Sequence, residues 1–595
     1  MILSKNREDE LRKFATNIRL NTLRTLNHLG FGHYGGSLSI VEVLAVLYGE
    51  IMPMTPEIFA ARDRDYFILS KGHGGPALYS TLYLNGFFDK EFLYSLNKNG
   101  TKLPSHPDRN LTPGIDMTTG SLGQGISVAT GLAYGQRIRK SPFYTYAIVG
   151  DGELNEGQCW EAIQFASHQQ LSNLIVFVDD NKKQLDGFTK DICNPGDFVE
   201  KFSAFGFESI RVKGSDIREI YEGIVQLKQS NNSSPKCIVL DTIKGQGVQR
   251  AGRNEIQPSS SPYCRGETNV NFSCRKIKSG IGGNRMMRST KELRHVYRDF
   301  LLEANQSYSD IVVLEADLSS SMATHNLEKD FGDRYVNVGI MEAEMVGLAA
   351  GLSIQGFRPY LHTFGPFASR RVFDQLFISL GYAQLDATVI GSDAGVTAEM
   401  NGGTHMPFEE IGLLRLIPKS IIFEATDDIQ FREILNQTLD LKGLKYIRTI
   451  RKAPVPVYQG GEDFSKGYIE LRHGEDVVIV ASGIMVAPSI RVADELSKLG
   501  YSVGVIDLFR IKPIPEQIKT MLSGKTIFTV ENHNQIGGIG SALCELFSDD
   551  GITKIHRMGV QERFGQVGKM DYLLNEYGLS ESNIKEKVLE IYNAR

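Results

Sequence analysis

No stretch of this sequence stays apolar for the ~20 residues that a membrane-crossing helix requires, so no membrane partner is expected. The N-terminal residues turn charged at once (Lys5, Arg7, Glu8, Asp9, Glu10) and lack the apolar centre of a signal peptide. Cysteine is sparse. Cys159, Cys193, Cys237, Cys264, Cys274 and Cys544 lie far apart with no CxxC pair, which argues against a zinc site and against a disulfide framework. A reducing, cytoplasmic setting is the expectation. An excess of one charge is lacking too: 65 Lys+Arg against 70 Asp+Glu leave a formal net charge of −5, no basis for a nucleic acid partner. Histidine is absent between His168 and His295.

What remains is ordinary globular composition, 41% hydrophobic and 23% charged over 595 residues, enough for roughly three to four domains of about 150 residues. Apolar runs alternate with helical periodicity, the signature of α/β units. Three doubly wound α/β units are expected, over residues 1–255, 288–460 and 461–595. Residues 256–287, with Ser259-Ser260-Ser261 and little periodicity, are expected to link the first two.

The stretch around which the chain is organised is Gly150-Asp151-Gly152-Glu153-Leu154-Asn155-Glu156-Gly157. It follows the apolar run Tyr146 to Val149 and is answered by Asp179-Asp180-Asn181 after a second run, Leu174 to Val178. Ligands of open α/β sheets gather outside the carboxyl ends of the strands. A hard cation such as Mg2+ takes oxygen ligands and keeps phosphate oxygens in its shell, so Asp151 and Asn181 suit a diphosphate-and-metal clasp. Three further breaks carry histidine: His33 in Gly32-His33-Tyr34-Gly35-Gly36, His73 in Lys71-Gly72-His73-Gly74-Gly75-Pro76, and His106 before Pro107. Neutral imidazoles at strand or helix ends can accept, donate or shuttle a proton near neutral pH. Thr119-Gly120-Ser121-Leu122-Gly123-Gln124-Gly125 is expected to open a helix of small residues, whose N-terminal N–H groups favour an anion.

The GDG followed about thirty residues later by Asn resembles the thiamine diphosphate motif, and with the other stretches in order the chain resembles the transketolases over nearly its whole length. That resemblance implies thiamine diphosphate and Mg2+, for which Ca2+ or Mn2+ can substitute, and a homodimer with active sites at the subunit interface. It implies Asp151, Asn181 and Lys183 on the metal, and His73, Gly120, Ser121, Leu122, Gly152, Glu153, Asn181 and Asp317 around the cofactor. Glu156 corresponds to an inter-subunit contact.

In the second unit the strand Asp310 to Asp317 and the stretch Val338-Gly339-Ile340-Met341-Glu342-Ala343-Glu344 lead into a helix, with Glu342 expected about one turn in. On its own such a carboxylate is commonly a helix-dipole partner. The resemblance makes Glu342 the glutamate that hydrogen-bonds the cofactor's pyrimidine, with Glu344 as rival; partial desolvation would raise its pKa. It places Phe364 and Phe367 against that ring and His405, in Asn401-Gly402-Gly403-Thr404-His405, on the substrate. Arg294, Ser321, Asn401 and Arg451 complete the substrate side with His33.

The chemistry implied is transfer of a two-carbon ketol unit from a ketose to an aldehyde acceptor through an enamine on the cofactor, with a histidine of the set His33, His73, His106 and His405 taking the C3 hydroxyl proton. A decarboxylating synthase related to 1-deoxyxylulose-phosphate synthase, and a catalytically silent assembly subunit, are the alternatives; the Thr119–Gly125 loop argues against the first, and Asp151, Asn181 and Glu342 against the second. Three substrate-side features depart from the family. Asn401 stands for an aspartate, Ser392 for a phosphate-binding histidine, and the usual histidine after Lys244-Gly245-Gln246-Gly247 is missing. These departures point to a sugar outside the ordinary pentose phosphate set; the alternative is that neighbours such as Arg294, Arg451 or Lys452 replace the lost contacts and the substrates are the usual ones. The third unit shows no chemical constellation.

Overall fold

The computed structural model describes residues 3–30, 32–184, 186–248 and 290–594. The expected linker 256–287 lies outside them. Three α/β units follow one another, each on its own sheet.

The first sheet is wholly parallel, in the order β1-β2-β3-β5-β4: β1 Tyr66–Leu69, β2 Thr145–Gly150, β3 Leu174–Asp180, β4 Glu208–Lys213 and β5 Lys236–Asp241. Its central strands are buried from end to end, which is why they appear in sequence as continuous apolar runs. The register pairs Gly150 with Asp179, so the two halves of the GDG…Asn signature emerge side by side. The opening helix, Lys5–Leu29, starts where Ser4 Oγ accepts from the Arg7 N–H and stops at Gly30, whose φ of 86° is left-handed.

The second sheet runs β15-β10-β11-β9-β8-β6-β7. Its members are β6 Ile311–Glu315, β7 Tyr335–Asn337, β8 Arg358–Phe364, β9 Ala387–Ser392, β10 Ile421–Glu424 and β11 Leu444–Arg448, with β15 Arg510–Lys512 lent by the third unit. β15 pairs antiparallel with β10, so the third unit is stitched into the second sheet by backbone hydrogen bonds. The third sheet, β12-β14-β13-β16-β17, is formed by β12 Ile469–Arg472, β13 Val477–Ala481, β14 Val503–Asp507, β16 Thr526–Asn534 and β17 Lys554–Val560.

The first two units are locked by helices Gln124–Ile138 and Glu342–Ile354, which cross almost backbone to backbone. A Cβ at Gly131 would lie 2.3 Å from the Leu348 carbonyl oxygen, and one at Gly351 would lie 2.4 Å from that of Val128. The run of small residues in 124–135 is therefore the packing surface. Glu342 is the first residue of its helix, not one turn in, because Gly339 at φ 83° and the non-helical Met341 delay the start.

Candidate active site

At the mouth of the first sheet Lys71 Nζ donates to Asp179 Oδ2 at 2.5 Å. Asp179 also accepts from Ser39 Oγ at 2.7 Å, Thr242 Oγ1 at 2.5 Å and Asn181 Nδ2 at 3.0 Å, so its carboxylate is saturated. Asp151 is not. Its Oδ1 accepts from the Gly152 N–H at 2.8 Å, while Oδ2 is buried with no partner. Burial, and then the neighbouring Asp179, push its pKa up to about 6. A bound cation would give that orphaned oxygen its ligand. Asn181 Oδ1 accepts from the Lys183 N–H at 3.1 Å and has a second lone pair. Among the described residues no cluster of three or more His, Cys, Asp or Glu side chains forms a metal site by itself, so a cation here would need further oxygens such as those of a diphosphate.

Glu153 faces inward, buried, and accepts from Ser70 Oγ at 2.6 Å, the Gly123 N–H at 2.9 Å and the Gly150 N–H at 3.0 Å. It staples together the three loops that surround the clasp. Gly72 and Gly120 approach so closely that a Cβ at Gly72 would lie 2.8 Å from the Gly120 nitrogen. Ser121 Oγ and Gln124 Nε2 donate to Asp374 Oδ2 at 2.5 and 2.6 Å, a tie from the second unit, while Leu122 is 38% exposed.

The three loop histidines form one cluster. His33 lies 5.6 Å from His73 and 5.8 Å from His106, centroid to centroid. Burial, with Lys71 and His33 adding to it, pushes the His73 pKa down to about 3. Burial also lowers His33, helped by Lys244 and Lys71, and lowers His106, helped by His33. All three are therefore held neutral, the form that accepts a proton. Lys244 stands beside them, its Nζ donating to the Gln184 carbonyl at 2.7 Å.

In the second unit the Glu342 carboxylate is 3% exposed and takes both its oxygens to Arg371 Nη1, at 2.9 Å each. The same guanidinium lies 4.1 Å over the Phe367 ring. Phe364, Phe367 and His405 make a cluster of rings, with His405 5.9 Å from Phe364 and 5.3 Å from Phe367. Glu344, the rival, is wholly buried and accepts from Thr130 Oγ1 at 2.5 Å, which leaves Glu342 as the glutamate beside the rings. Asp317 is an exposed residue at φ 59°, its N–H donating to Asn337 Oδ1 at 3.0 Å. Ser321 stands in the turn that follows, its N–H donating to the Leu318 carbonyl at 2.9 Å.

Arg294 and Arg451 meet through the backbone, the Arg294 N–H donating to the Arg451 carbonyl at 3.2 Å. Each guanidinium already holds a carboxylate: Arg294 Nε with Glu292 at 2.6 Å, Arg451 Nε with Asp393 at 2.7 Å. Lys452 pairs with Glu399 at 2.5 Å. Asn401 is exposed on the same segment. Ser392 is wholly buried, 3.0 Å from His362 Nε2, and His362 Nδ1 is 2.8 Å from Glu315. His362, on the adjacent strand β8, thus stands directly beside Ser392.

Among the described residues no hydrogen bond, ion pair or ring contact joins the clasp and histidine cluster to Glu342, Phe364, Phe367 or His405. Sequence reasoning missed Lys71, Lys244, Arg371 and Asp374. Lys71 had a signal, a lysine inside a glycine-marked break two residues from His73; Arg371 and Asp374 had none, because only the fold brings them to Glu342 and Ser121.

Comparison with known proteins identifies the family. Residues 11–305 match the profile described as transketolase, thiamine diphosphate binding domain; 289–454 match the transketolase pyrimidine binding domain, and 466–584 the transketolase C-terminal domain. Human transketolase-like protein 2 is 30% identical over 96% of each chain. The two subunits of a 6-deoxy-6-sulfo-D-fructose transketolase from Clostridium sp. (strain MSTE9) are more similar over shorter spans. SqwG is 48% identical over 40% of this chain and 86% of its own, and SqwH 38% over 50% of this chain and 94% of its own. The structure of transketolase from Leishmania mexicana shares the fold, with a TM-score of 0.83 over 98% of this chain and 97% of that one at 20% identity. The chain belongs to the transketolase family, as a thiamine diphosphate-dependent transferase of two-carbon ketol units.

Proposed function

We propose that this enzyme takes its ketol unit from a ketose whose far end carries a sulfonate, as in 6-deoxy-6-sulfo-D-fructose, and works as a Mg2+-dependent cytoplasmic homodimer with each site built from two chains. Removal of C1 and C2 from such a six-carbon donor leaves a four-carbon aldose that retains the sulfonate, and an aldehyde acceptor takes up the two carbons.

The observation that carries this reading is the charge state of the substrate wall. Among the described residues its cations Arg294, Arg451 and Lys452 are each already paired with a carboxylate. Such a wall offers little net positive charge. It suits a sulfonate monoanion better than a phosphate, which carries about −1.5 to −2 near pH 7. The 48% identity to one subunit of the sulfofructose enzyme, against 30% to the human relative, supports the same choice.

In this reading Asp151, Asn181 and the Lys183 backbone hold the cation, and Gly120, Ser121, Leu122 and Gly152 shape the walls around the diphosphate. Glu153 acts from behind, through the loops it staples. Glu342, once released from Arg371, hydrogen-bonds the cofactor's pyrimidine, with Phe364, Phe367 and Asp317 beside that ring. Thiamine diphosphate supplies the electron sink for breaking the C2–C3 bond. His33, His73, His106 and His405 orient the sugar hydroxyls, and a neutral imidazole of the set accepts the C3 hydroxyl proton.

The test is kcat/KM for 6-deoxy-6-sulfo-D-fructose against D-fructose 6-phosphate and D-xylulose 5-phosphate, with one aldehyde acceptor and product mass as readout. A preference of at least about tenfold for the sulfonate, roughly 1.4 kcal/mol in transition-state stabilisation, is expected. Equal or better use of the phosphates would return the enzyme to ordinary sugar phosphates.

A further inference from the structure

The third unit holds none of the groups assigned above, yet its strand β16 reaches into the segment that carries Asp393, Asn401 and His405. Asn532, 1% exposed, spends both arms of its side-chain amide on that segment. Its Oδ1 accepts from the Val396 N–H at 3.0 Å, and its Nδ2 donates to the Ala394 carbonyl at 3.0 Å. The approach is so close that a Cβ at Gly395 would lie 2.2 Å from Asn532 Oδ1, and Gly395 sits at φ 51°.

Asn532 is itself anchored. Its carbonyl accepts from Arg448 Nη2 at 2.8 Å, and Arg448 is a wholly buried guanidinium clamped between Glu410 and Glu424. At the far end of the segment the Asn534 N–H donates to the Phe408 carbonyl at 2.8 Å, and a Cβ at Gly403 would lie 2.6 Å from the Gly565 carbonyl oxygen. The third unit therefore grips the segment at both ends.

What it grips is strained. Asp393 and Glu399 are non-glycine residues at positive φ, 64° and 47°. Such residues persist only where the surroundings over-determine them. Asp393 is the partner of Arg451, and its Oδ2 is buried with no hydrogen bond.

We infer that Asn532 is a positioning residue for the reaction: by fixing the Ala394–Val396 backbone it sets where Arg451, Asn401 and His405 stand toward the donor sugar. The inference rests on the proposal that this segment faces substrate. Asn532 touches no reacting atom, so its signature is a change in KM rather than in cofactor loading.

The experiment uses the full-length enzyme with saturating thiamine diphosphate and Mg2+, and the better donor of 6-deoxy-6-sulfo-D-fructose and D-fructose 6-phosphate. Asn532→Ala removes two buried hydrogen bonds and is expected to raise KM about tenfold with cofactor affinity unchanged. Asn532→Asp keeps the acceptor, loses the donor, and should fall between; it carries the test alone should the alanine variant fail to fold. Thr529→Val, on the same strand and with a buried hydroxyl that has no partner, should keep the wild-type KM. A wild-type KM in both Asn532 variants, or an equal rise in Thr529→Val, would overturn the inference. His405→Ala separates the two levels: a raised KM there with a normal one in the Asn532 variants sinks this inference alone, and a normal KM in His405→Ala sinks the substrate-facing assignment with it.

Discussion

Lys71 Nζ donates to Asp179 Oδ2 at 2.5 Å, and neither side chain has any exposed surface. A buried pair of this kind need not add stability over an apolar pair, but losing one partner strands the other's charge. Lys71→Met should destabilise the protein by about 3–5 kcal/mol. The double variant Lys71→Met/Asp179→Asn should recover part of that loss. Denaturant unfolding of the two variants decides: equal destabilisation would mean that the three other donors to Asp179 suffice without the lysine.

In the proposed site the buried, unpartnered Oδ2 of Asp151 takes the cation, so cofactor binding should depend on that cation. Asp151→Asn should weaken thiamine diphosphate binding by about a hundredfold or more, the scale on which metal sites respond to altered ligand shells. A chelator should do the same to the wild type, with added Mg2+ restoring only the wild type. Calorimetry showing chelator-resistant binding would remove the metal from the site.

How much of this was legible beforehand follows from where each signal resides. β2 and β3 were visible because a strand buried on both faces has to be a continuous apolar run, and the motif residues Asp151 and Asn181 sit directly at their ends. The His33–His73–His106 cluster was legible as three loop breaks, though only the fold shows the rings 5.6 and 5.8 Å apart. Arg371 on Glu342 and Asn532 on the Ala394–Val396 turn were not legible, because contacts over 29 and 136 residues leave no local period or spacing. Glu342 was misplaced by a turn because Gly339 and Met341 break the helical path in φ and ψ, which the polar pattern does not encode.

Within one chain no hydrogen bond, ion pair or ring contact joins the clasp to Glu342 among the described residues, which suits a site shared between two subunits. Mixing Asp151→Ala chains with Glu342→Ala chains after dissociation should then rebuild sites holding both groups, up to about a quarter of the total by random pairing if each parent is silent. Measured recovery is the check. No activity in a preparation shown by mass to contain the mixed dimer would place each complete site within one chain.

The histidine cluster predicts a pH response. Each pKa is lowered in the fold, His73 to about 3, from an unfolded value of about 6.5. Between those values the unfolded chain binds more protons than the native one, so the cluster's contribution to stability is present above pH ~6.5 and is lost as pH falls through that window. The neutral form persists in the folded enzyme, and kcat/KM should show no loss from His73 protonation down to pH ~5. Labelled-histidine NMR in parallel with the rate profile tests both statements; a His73 resonance titrating near pH 6.5 would contradict them.

The paired cations of the proposed substrate wall lead to a sharper expectation, because the competing anions differ in how they titrate. A sulfonate is a monoanion across the working range, whereas a phosphate monoester takes up its second proton with a pKa of about 6. With Arg294, Arg451 and Lys452 already held by Glu292, Asp393 and Glu399, the second negative charge of a phosphate meets none of these three cations free on the proposed wall and is left poorly compensated. Lowering the pH removes that charge from the phosphate donor and leaves the sulfonate unchanged. The ratio of kcat/KM for 6-deoxy-6-sulfo-D-fructose to that for D-fructose 6-phosphate should therefore shrink several-fold from pH 8 to pH ~5.5, a comparison in which the enzyme's own titrations cancel. Glu399→Gln, which frees Lys452 from its partner, should shrink the same ratio at pH 8 by improving the phosphate donor. A ratio flat with pH, together with no gain for phosphate in Glu399→Gln, would show that charge matching at this wall does not choose the substrate.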